Sequence, residues 1–126
     1  MPFEGDVQKF IPAPVVETET QKLLRETRER MTPENWLHVG AHDAATGKMC
    51  MMYRLWDVAP MPSARRAAAE VCLDDAAREL FPERVTSDTR VPGTLCAAAQ
   101  VNDHPATVFA DVLRVFDRAH KMAKPY

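Results

Sequence analysis

The sequence has few cysteines, no long apolar run and no excess of charge of either sign. Its three cysteines cannot all pair within one chain and none stands in a C-x-x-C spacing, which favours reduced thiols. The 16 basic and 18 acidic residues give a formal net charge of −2, so net charge attracts neither nucleic acid nor an anionic membrane. A Gly-rich phosphate loop, a Walker motif, a serine elbow and a zinc finger are all absent.

The start of the chain, MPFEGDVQKF, lacks the basic flank and the apolar core of a signal peptide. We therefore expect a cytoplasmic protein with no membrane partner. The composition, 46% hydrophobic and 27% charged, excludes a fully disordered, collagen-like or disulfide-scaffold chain. A chain of 126 residues buries about two-thirds of its unfolded surface, which is enough for one domain.

Residues 1–16 differ from the rest of the chain. They contain Pro2, Pro12 and Pro14 and show no helical period, which predicts an extended N-terminal arm available for docking. Residues 17–126 then form a single α-rich domain.

Apolar residues recur at helical spacing in four segments, which cover residues 18–31, 49–56, 64–81 and 107–123. Ser63 is the predicted N-cap of the third segment. The predicted apolar faces of the first three are Leu23, Thr27 and Met31; Met49, Met52, Tyr53 and Trp56; and Ala69, Leu73, Ala76 and Leu80. We predict a mainly α fold, a small single-domain bundle of about four helices.

The connections between these segments contain most of the turn-forming residues. Residues 32–35 predict a short turn, and residues 36–50 predict a loop or a minor β-hairpin because Gly40 and Gly47 flank a polar stretch. Residues 82–93 predict a long surface connection, and residues 94–106 a further loop or turn.

The last segment has an apolar arc that covers about half of the helix circumference, wider than one packing partner requires. Its aligned residues are Val108, Val112, Val115, Ala119 and Met122. Part of this helix is therefore a candidate interface with another protein. The candidate interface residues are Phe109, Leu113, Phe116 and His120.

Three residues of the 36–50 segment could bind a metal ion. His38 and His42 stand four residues apart, and the Cys50 thiolate could complete a zinc site with a water molecule. A fourth ligand is missing at typical spacing, and Gly40 and Asp43 indicate a loop. We favour solvated loop histidines, with no metal and no cofactor.

A thiol nucleophile is a second candidate chemistry. Cys50 or Cys96 could act with His104 and either Asn102 or Asp103, since a catalytic thiolate needs a histidine that is oriented by a third group. The apolar surroundings of Cys96 favour a buried, inert thiol instead. The favoured interpretation of residues 102–105 is a structural turn that leads into the last helix.

Basic residues could contact the phosphates of nucleic acid at two places. The candidates are Arg65, Arg66, Arg114, Arg118, Lys121 and Lys124. Asp111 and Asp117 alternate with the C-terminal group, and cations are favoured near a helix C-terminus in any case. We therefore interpret both groups as solvated surface and expect no nucleic-acid partner.

Several short motifs occur in a recognisable order: Trp36, the Gly-containing stretch after it, Cys50 before a helix, Asn102-Asp103 and the helix VFADVLRVFDRAHKMA. They resemble an uncharacterised domain family of actinomycetes and their phages, over about residues 20–124. Val101 stands where that family usually has a second Trp. The resemblance implies a helix-rich fold, with Trp36 as a core anchor, Asn102-Asp103 as a cap and Asp117-Arg118 as a surface pair.

From these observations we expect a phage or prophage accessory protein that acts by protein–protein contact without catalysis. The partner is an unidentified host or phage protein, or a second copy in a homo-oligomer, in the host cytoplasm if a phage encodes the chain. The alternatives are a metal- or thiol-dependent enzyme that uses His38, His42 and Cys50, and a DNA-binding regulator.

Overall fold

The computed structural model describes residues 16–60, 63–86 and 96–123, and the account below concerns these residues. They contain five α-helices and a short 3₁₀ helix, and no β-strand. The helices are α1 (Glu19–Glu29), α2 (Met51–Val58), α3 (Ala64–Leu80), α4 (Ala97–Asp103) and α5 (Phe109–Met122), with the 3₁₀ helix at Pro82–Arg84. The predicted mainly α class is confirmed. Of the predicted N-terminal arm, residues 1–15 lie outside the described residues.

Helix α1 begins at a capping box. The Thr18 hydroxyl accepts a hydrogen bond from the Gln21 N–H (3.1 Å), and the Gln21 side chain accepts one from the Thr18 N–H (3.0 Å). Its buried face contains Leu23, Leu24 and Thr27. This is the stripe that the sequence predicted, and Met31, just beyond the helix, is also buried.

Helix α3 is the central packing element, in contact with α1, α2, α4 and α5. The Ser63 hydroxyl caps its start by accepting from the Arg66 N–H (3.2 Å), as predicted. Ala69, Leu73 and Ala76 are fully buried. Because two of these side chains are methyl groups, the neighbouring helices pack close to the α3 backbone.

Helix α4 corrects the prediction of a loop or turn over residues 94–106. Residues 97–103 are helical, and Ala97, Ala98 and Val101 are buried. Seven residues are too few for a clear helical period, and the N-cap is Cys96, whose Sγ accepts from the Ala99 N–H (3.4 Å) in place of the usual hydroxyl. The predicted surface connection over residues 82–93 is described only as far as Thr86.

The segment of residues 36–50 forms no hairpin. It contains two isolated bridges, Trp36 to Met49 and His42 to Met49, without a ladder of paired strands. Gly40 (φ 97°) and Gly47 (φ 77°) adopt the left-handed backbone conformation that favours glycine. Helix α2 begins after Cys50, so Met49 belongs to the loop and the predicted apolar face of α2 is displaced. Its buried residues are Met51, Met52 and Leu55.

In the described part of the chain, no helix is long and apolar enough to cross a membrane.

Candidate functional site

The side-chain amide of Asn102, on α4, is fully buried and hydrogen-bonded on both sides. Its Oδ1 accepts from the Trp36 Nε1–H (2.8 Å) and from the Met51 backbone N–H (3.1 Å). Its Nδ2 donates to the carbonyl oxygens of Leu37 and His38, both at 3.0 Å. One side chain therefore joins the 36–50 segment, the first turn of α2 and the end of α4.

Trp36 and Asn102, two of the residues that carried the family resemblance, meet at this point together with the Met51 N–H, and we call these three groups the Asn102 junction. The Trp36 ring lies 6.0 Å from the ring of Phe109 on α5, centroid to centroid. Cys50 caps α2, since its Sγ accepts from the Tyr53 N–H (3.3 Å). These contacts give the buried polar groups hydrogen-bond partners and fix the 36–50 segment against α2, α4 and α5. The Asn102 junction therefore has a structural role.

Two details of the resemblance need correction. Asn102 does not cap the last helix, because its side chain binds residues 51 to 66 positions earlier in the chain. Asp117 and Arg118 do not pair with each other. Asp117 pairs with Arg28 (2.8 Å), and Arg118 binds both oxygens of the Glu79 carboxylate (2.9 and 3.0 Å).

The three proposed metal ligands each make another contact. His38 Nε2 donates to the His104 carbonyl (2.7 Å), since a carbonyl can only accept. The His42 ring stacks on Tyr53 with centroids 4.8 Å apart. Among the described residues, His38, His42 and Cys50 included, no group of three or more His, Cys, Asp or Glu side chains could hold a metal ion.

The cysteines show no sign of an activated thiol. Burial raises the pKa of Cys50 above its ordinary value, and burial likewise raises the pKa of Cys72 and of Cys96. A raised pKa leaves the thiol protonated at neutral pH, and the protonated form is a poor nucleophile. The ring of His104, the proposed partner base, accepts at Nδ1 from the Ala106 N–H (3.1 Å).

The predicted interface residues of α5 have different environments. Phe116 is buried in the core and presents no surface to a partner. Phe109, Leu113 and His120 are partly exposed. His120 Nε2 lies 2.9 Å from the Glu17 carboxylate, and the hydrogen bond from His120 is the main reason that the pKa of Glu17 is lowered.

The predicted basic residues mostly lie beside carboxylates. Arg65 is 3.6 Å from Glu19, and Arg66 is 3.1 Å from Glu70. Arg114 is 3.9 Å from Asp111. Lys124 lies outside the described residues.

The outward side of α3 was not predicted as a site. A groove of about 900 Å³ lies between this side and the start of α1, with Thr18, Glu19, Thr20 and Arg65 among its lining residues. A second depression of about 450 Å³ lies across Val71, beside Trp56 and Asp75. We call the apolar strip between these two hollows the α3 surface. It consists of Ala64, Ala67, Ala68 and Val71 together with Trp56.

The sequence carries only a weak signal for the α3 surface. Alanine occurs on the buried side of α3 and on its exposed side, so the helix has little contrast between an apolar and a polar face. The outward spacing of Ala64, Ala67, Ala68 and Val71 is itself a helical stripe. An alanine-rich helix with two such stripes indicates two packing faces.

The chain belongs to the family of unknown function DUF6197, whose family model matches residues 15–122. No curated protein and no solved structure matches the chain.

Proposed function

We propose that this member of a family of unknown function acts by protein–protein contact, without catalysis, through the α3 surface. The observation that carries the proposal is the exposure of Val71 (59%) and Trp56 (37%), which line the same surface depression. The phage or prophage setting and the cytoplasmic location are part of the same proposal and rest on the sequence.

The α3 surface has the anatomy of an interface, with an apolar centre and a polar rim. At the rim, the Arg66 guanidinium lies 4.9 Å from the centroid of the Trp56 ring. The Trp56 Nε1–H and Arg66 Nε both donate to the Glu70 carboxylate, at 2.6 and 3.1 Å. These contacts hold Trp56 in place before binding, which lowers the entropy lost when a partner contacts it.

The α5 face offers less accessible apolar area. Phe116 is buried, and Phe109 packs against Trp36. Among the large apolar side chains described at that end, the one that is mostly exposed is Val108, just before α5. We therefore place the interface on α3 and use Val108 to test the α5 alternative.

The enzyme and DNA-binding alternatives draw less support from the described residues. The histidines and cysteines proposed for catalysis make structural hydrogen bonds or ring contacts, and most of the arginines proposed for phosphate binding pair with carboxylates. Paired arginines attract phosphate weakly because the neighbouring carboxylate opposes it.

The matched variants Val71→Lys and Val108→Lys test the proposal. Val71 and Val108 are the same residue type and are 59% and 57% exposed, so the two variants introduce the same charge at two equally exposed positions on different surfaces. The tagged chain is expressed in a bacterial host together with an untagged copy. Captured proteins, the second copy included, are then quantified by mass spectrometry.

We expect Val71→Lys to lower the yield of the captured partner at least about tenfold, because a charge at the centre of an apolar interface is desolvated on binding. Val108→Lys should keep the wild-type yield. Loss with Val108→Lys alone would assign the interface to α5. The proposal fails if no protein is captured above the background of an unrelated tagged domain, or if Val71→Lys retains the partner.

A further inference from the structure

We propose that the turn between α4 and α5 is a pH-sensitive element, which loosens when the His104 ring takes up a proton. The evidence is the direction of the hydrogen bond that this ring makes, compared with those of the other histidine rings. The α3 surface plays no part in this element, so the proposal and the proposed function stand or fall separately.

The turn consists of residues 104–107 and is closed by two hydrogen bonds. The Thr107 N–H donates to the His104 carbonyl (3.0 Å), as in a β-turn. The His104 ring also folds over the turn, and its Nδ1 accepts from the Ala106 N–H (3.1 Å). The ring thereby takes the place that an Asn or Asp side chain has in an Asx-turn.

The contact with the Ala106 N–H requires a neutral ring. A ring nitrogen accepts a hydrogen bond only when it carries no proton, so the proton of the neutral His104 ring is on Nε2. In the imidazolium both nitrogens are donors, and Nδ1–H would face the Ala106 N–H. The closed turn therefore excludes a proton that the open turn can take up, and acidification favours the open turn.

The other histidine rings make contacts that a proton does not break. His38 Nε2 donates to the His104 carbonyl (2.7 Å), and His120 Nε2 donates to the Glu17 carboxylate (2.9 Å). An imidazolium donates to such acceptors at least as well as the neutral ring does. His42 makes a stacking contact. Of the ring hydrogen bonds in the described part of the chain, the one at His104 is therefore the one that protonation removes.

Charged groups of both signs lie around the turn. Asp103 directly precedes the ring and favours its protonated form. Arg84 donates to the Thr107 hydroxyl and to Asp111, both at 3.0 Å, and opposes the protonated form, as does a protonated His38. Because these charges oppose one another, the sign of the pH effect follows from the hydrogen bond that the ring accepts.

The turn also holds the 36–50 segment. The His104 carbonyl accepts from the His38 ring as well as from the Thr107 N–H, and the Trp36 ring lies 5.0 Å from the His38 ring, centroid to centroid. Loosening of the turn therefore weakens the attachment of α5 to the Asn102 junction. The helices themselves need not unfold, because their cores contain no part of the turn except the buried Thr107.

Long-range ¹H–¹⁵N spectra of the full chain at about pH 8 identify the tautomer of each ring. We expect the neutral His104 ring to carry its proton on Nε2. As the pH falls, the Ala106 amide signal should shift with the same midpoint as the His104 ring. A neutral ring with its proton on Nδ1, or an Ala106 signal that does not follow the ring, overturns the proposal.

His104→Asn supplies an acceptor for the Ala106 N–H that does not titrate. Urea unfolding is measured at about pH 8 and about pH 5.5, a range in which histidines titrate and ordinary carboxylates stay ionised. Between these values the unfolding equilibrium constant of wild type should rise about threefold more than that of His104→Asn, the effect of one modest hydrogen bond.

His42→Asn is the matched control, because it removes a histidine whose ring contact is a stack. It should keep the pH effect of wild type. Equal pH effects in wild type and His104→Asn, or a His42→Asn variant that loses the effect to the same extent, overturn the proposal. If His104→Asn does not fold, the spectra of the wild-type chain decide the question.

Discussion

The side chain of Asn102 connects the irregular 36–50 segment to the helices α2 and α4. A buried asparagine has two acceptor lone pairs and two N–H donors, and each that is left without a partner costs free energy. Here both sides of the amide are used, and the partners come from the 36–50 segment and from α2. The loop carbonyls that a hairpin would have paired bind this amide instead.

Replacement of Asn102 by alanine should cost about 3 kcal/mol of unfolding free energy, because buried donors and acceptors of Trp36, Leu37, His38 and Met51 lose their partner together. Urea unfolding followed by circular dichroism measures the loss. Asn35→Ala is the control, since the side chain of Asn35 also hydrogen-bonds backbone groups, but at the surface. It should cost about 1 kcal/mol or less. Equal losses in the two variants would contradict the central role of Asn102.

Trp36 and Asn102 both belong to the motifs that carry the family resemblance, but no local sequence pattern connects them. The predicted core role of Trp36 agrees with its packing against the buried cluster. The predicted cap at Asn102-Asp103 is wrong, because local patterns relate residues three or four apart, whereas Trp36 and Asn102 are 66 residues apart. A hydrogen bond over that separation follows from the packing of helices, which periodicity does not specify.

At the scale of elements, Asp111 links the first turn of α5 to the 3₁₀ helix that follows α3. Its Oδ2 accepts from Arg84 (3.0 Å) and from the Val108 N–H at the start of α5 (3.1 Å). Burial by itself would raise the pKa of Asp111, but the hydrogen bonds from Arg84 and Val108 and the charge of Arg84 lower it below its ordinary 3.8.

This lowered pKa predicts how stability depends on pH. The ionised Asp111 stabilises the fold above its unfolded pKa, and this contribution is lost as the pH falls through the lower, folded pKa. At pH 7, Asp111→Asn should therefore be less stable than wild type by about 1.5 kcal/mol. The difference between the two proteins should shrink as the pH falls below 3.8 and the folded protein takes up a proton at Asp111.

Urea unfolding at a series of pH values tests this dependence. Glu34→Gln, a substitution of an exposed carboxylate in the turn before Trp36, is the control and should follow the wild-type profile. A difference between wild type and Asp111→Asn that stays constant from neutral to acid pH would show that the charge of Asp111 contributes nothing.

The elements that could be predicted are those with a long period and a clear cap. Ser63 is the predicted cap of α3, and both α1 and α3 have buried residues at predicted positions. Helix α4 was missed because it is short and begins at a cysteine cap. The exposed side of α3 was missed for a different reason, since alanine satisfies both a core and a surface pattern.

At the scale of the whole molecule, the 36–50 segment belongs to the same folding unit as the helices. Its Trp36 hydrogen-bonds to α4 and contacts Phe109 on α5, while the Asn35 carbonyl accepts from the Met49 N–H (3.1 Å). A loop attached only at its ends would open on its own. These contacts should instead make loss of the loop and loss of the helices a single event.

The chain has two tryptophans, so Trp56→Phe leaves Trp36 as the sole indole probe of the Asn102 junction. In this variant, urea unfolding measured by Trp36 fluorescence should coincide with unfolding measured by far-UV circular dichroism, as two-state behaviour requires. Adding Asn102→Ala should uncouple them, with the fluorescence change at lower urea, because the loop then loses its attachment to α4 before the helices separate. If the fluorescence of Trp56→Phe changes at lower urea than its circular dichroism, the loop unfolds independently of the helices. The Asn102 junction would then not couple the loop to the helices.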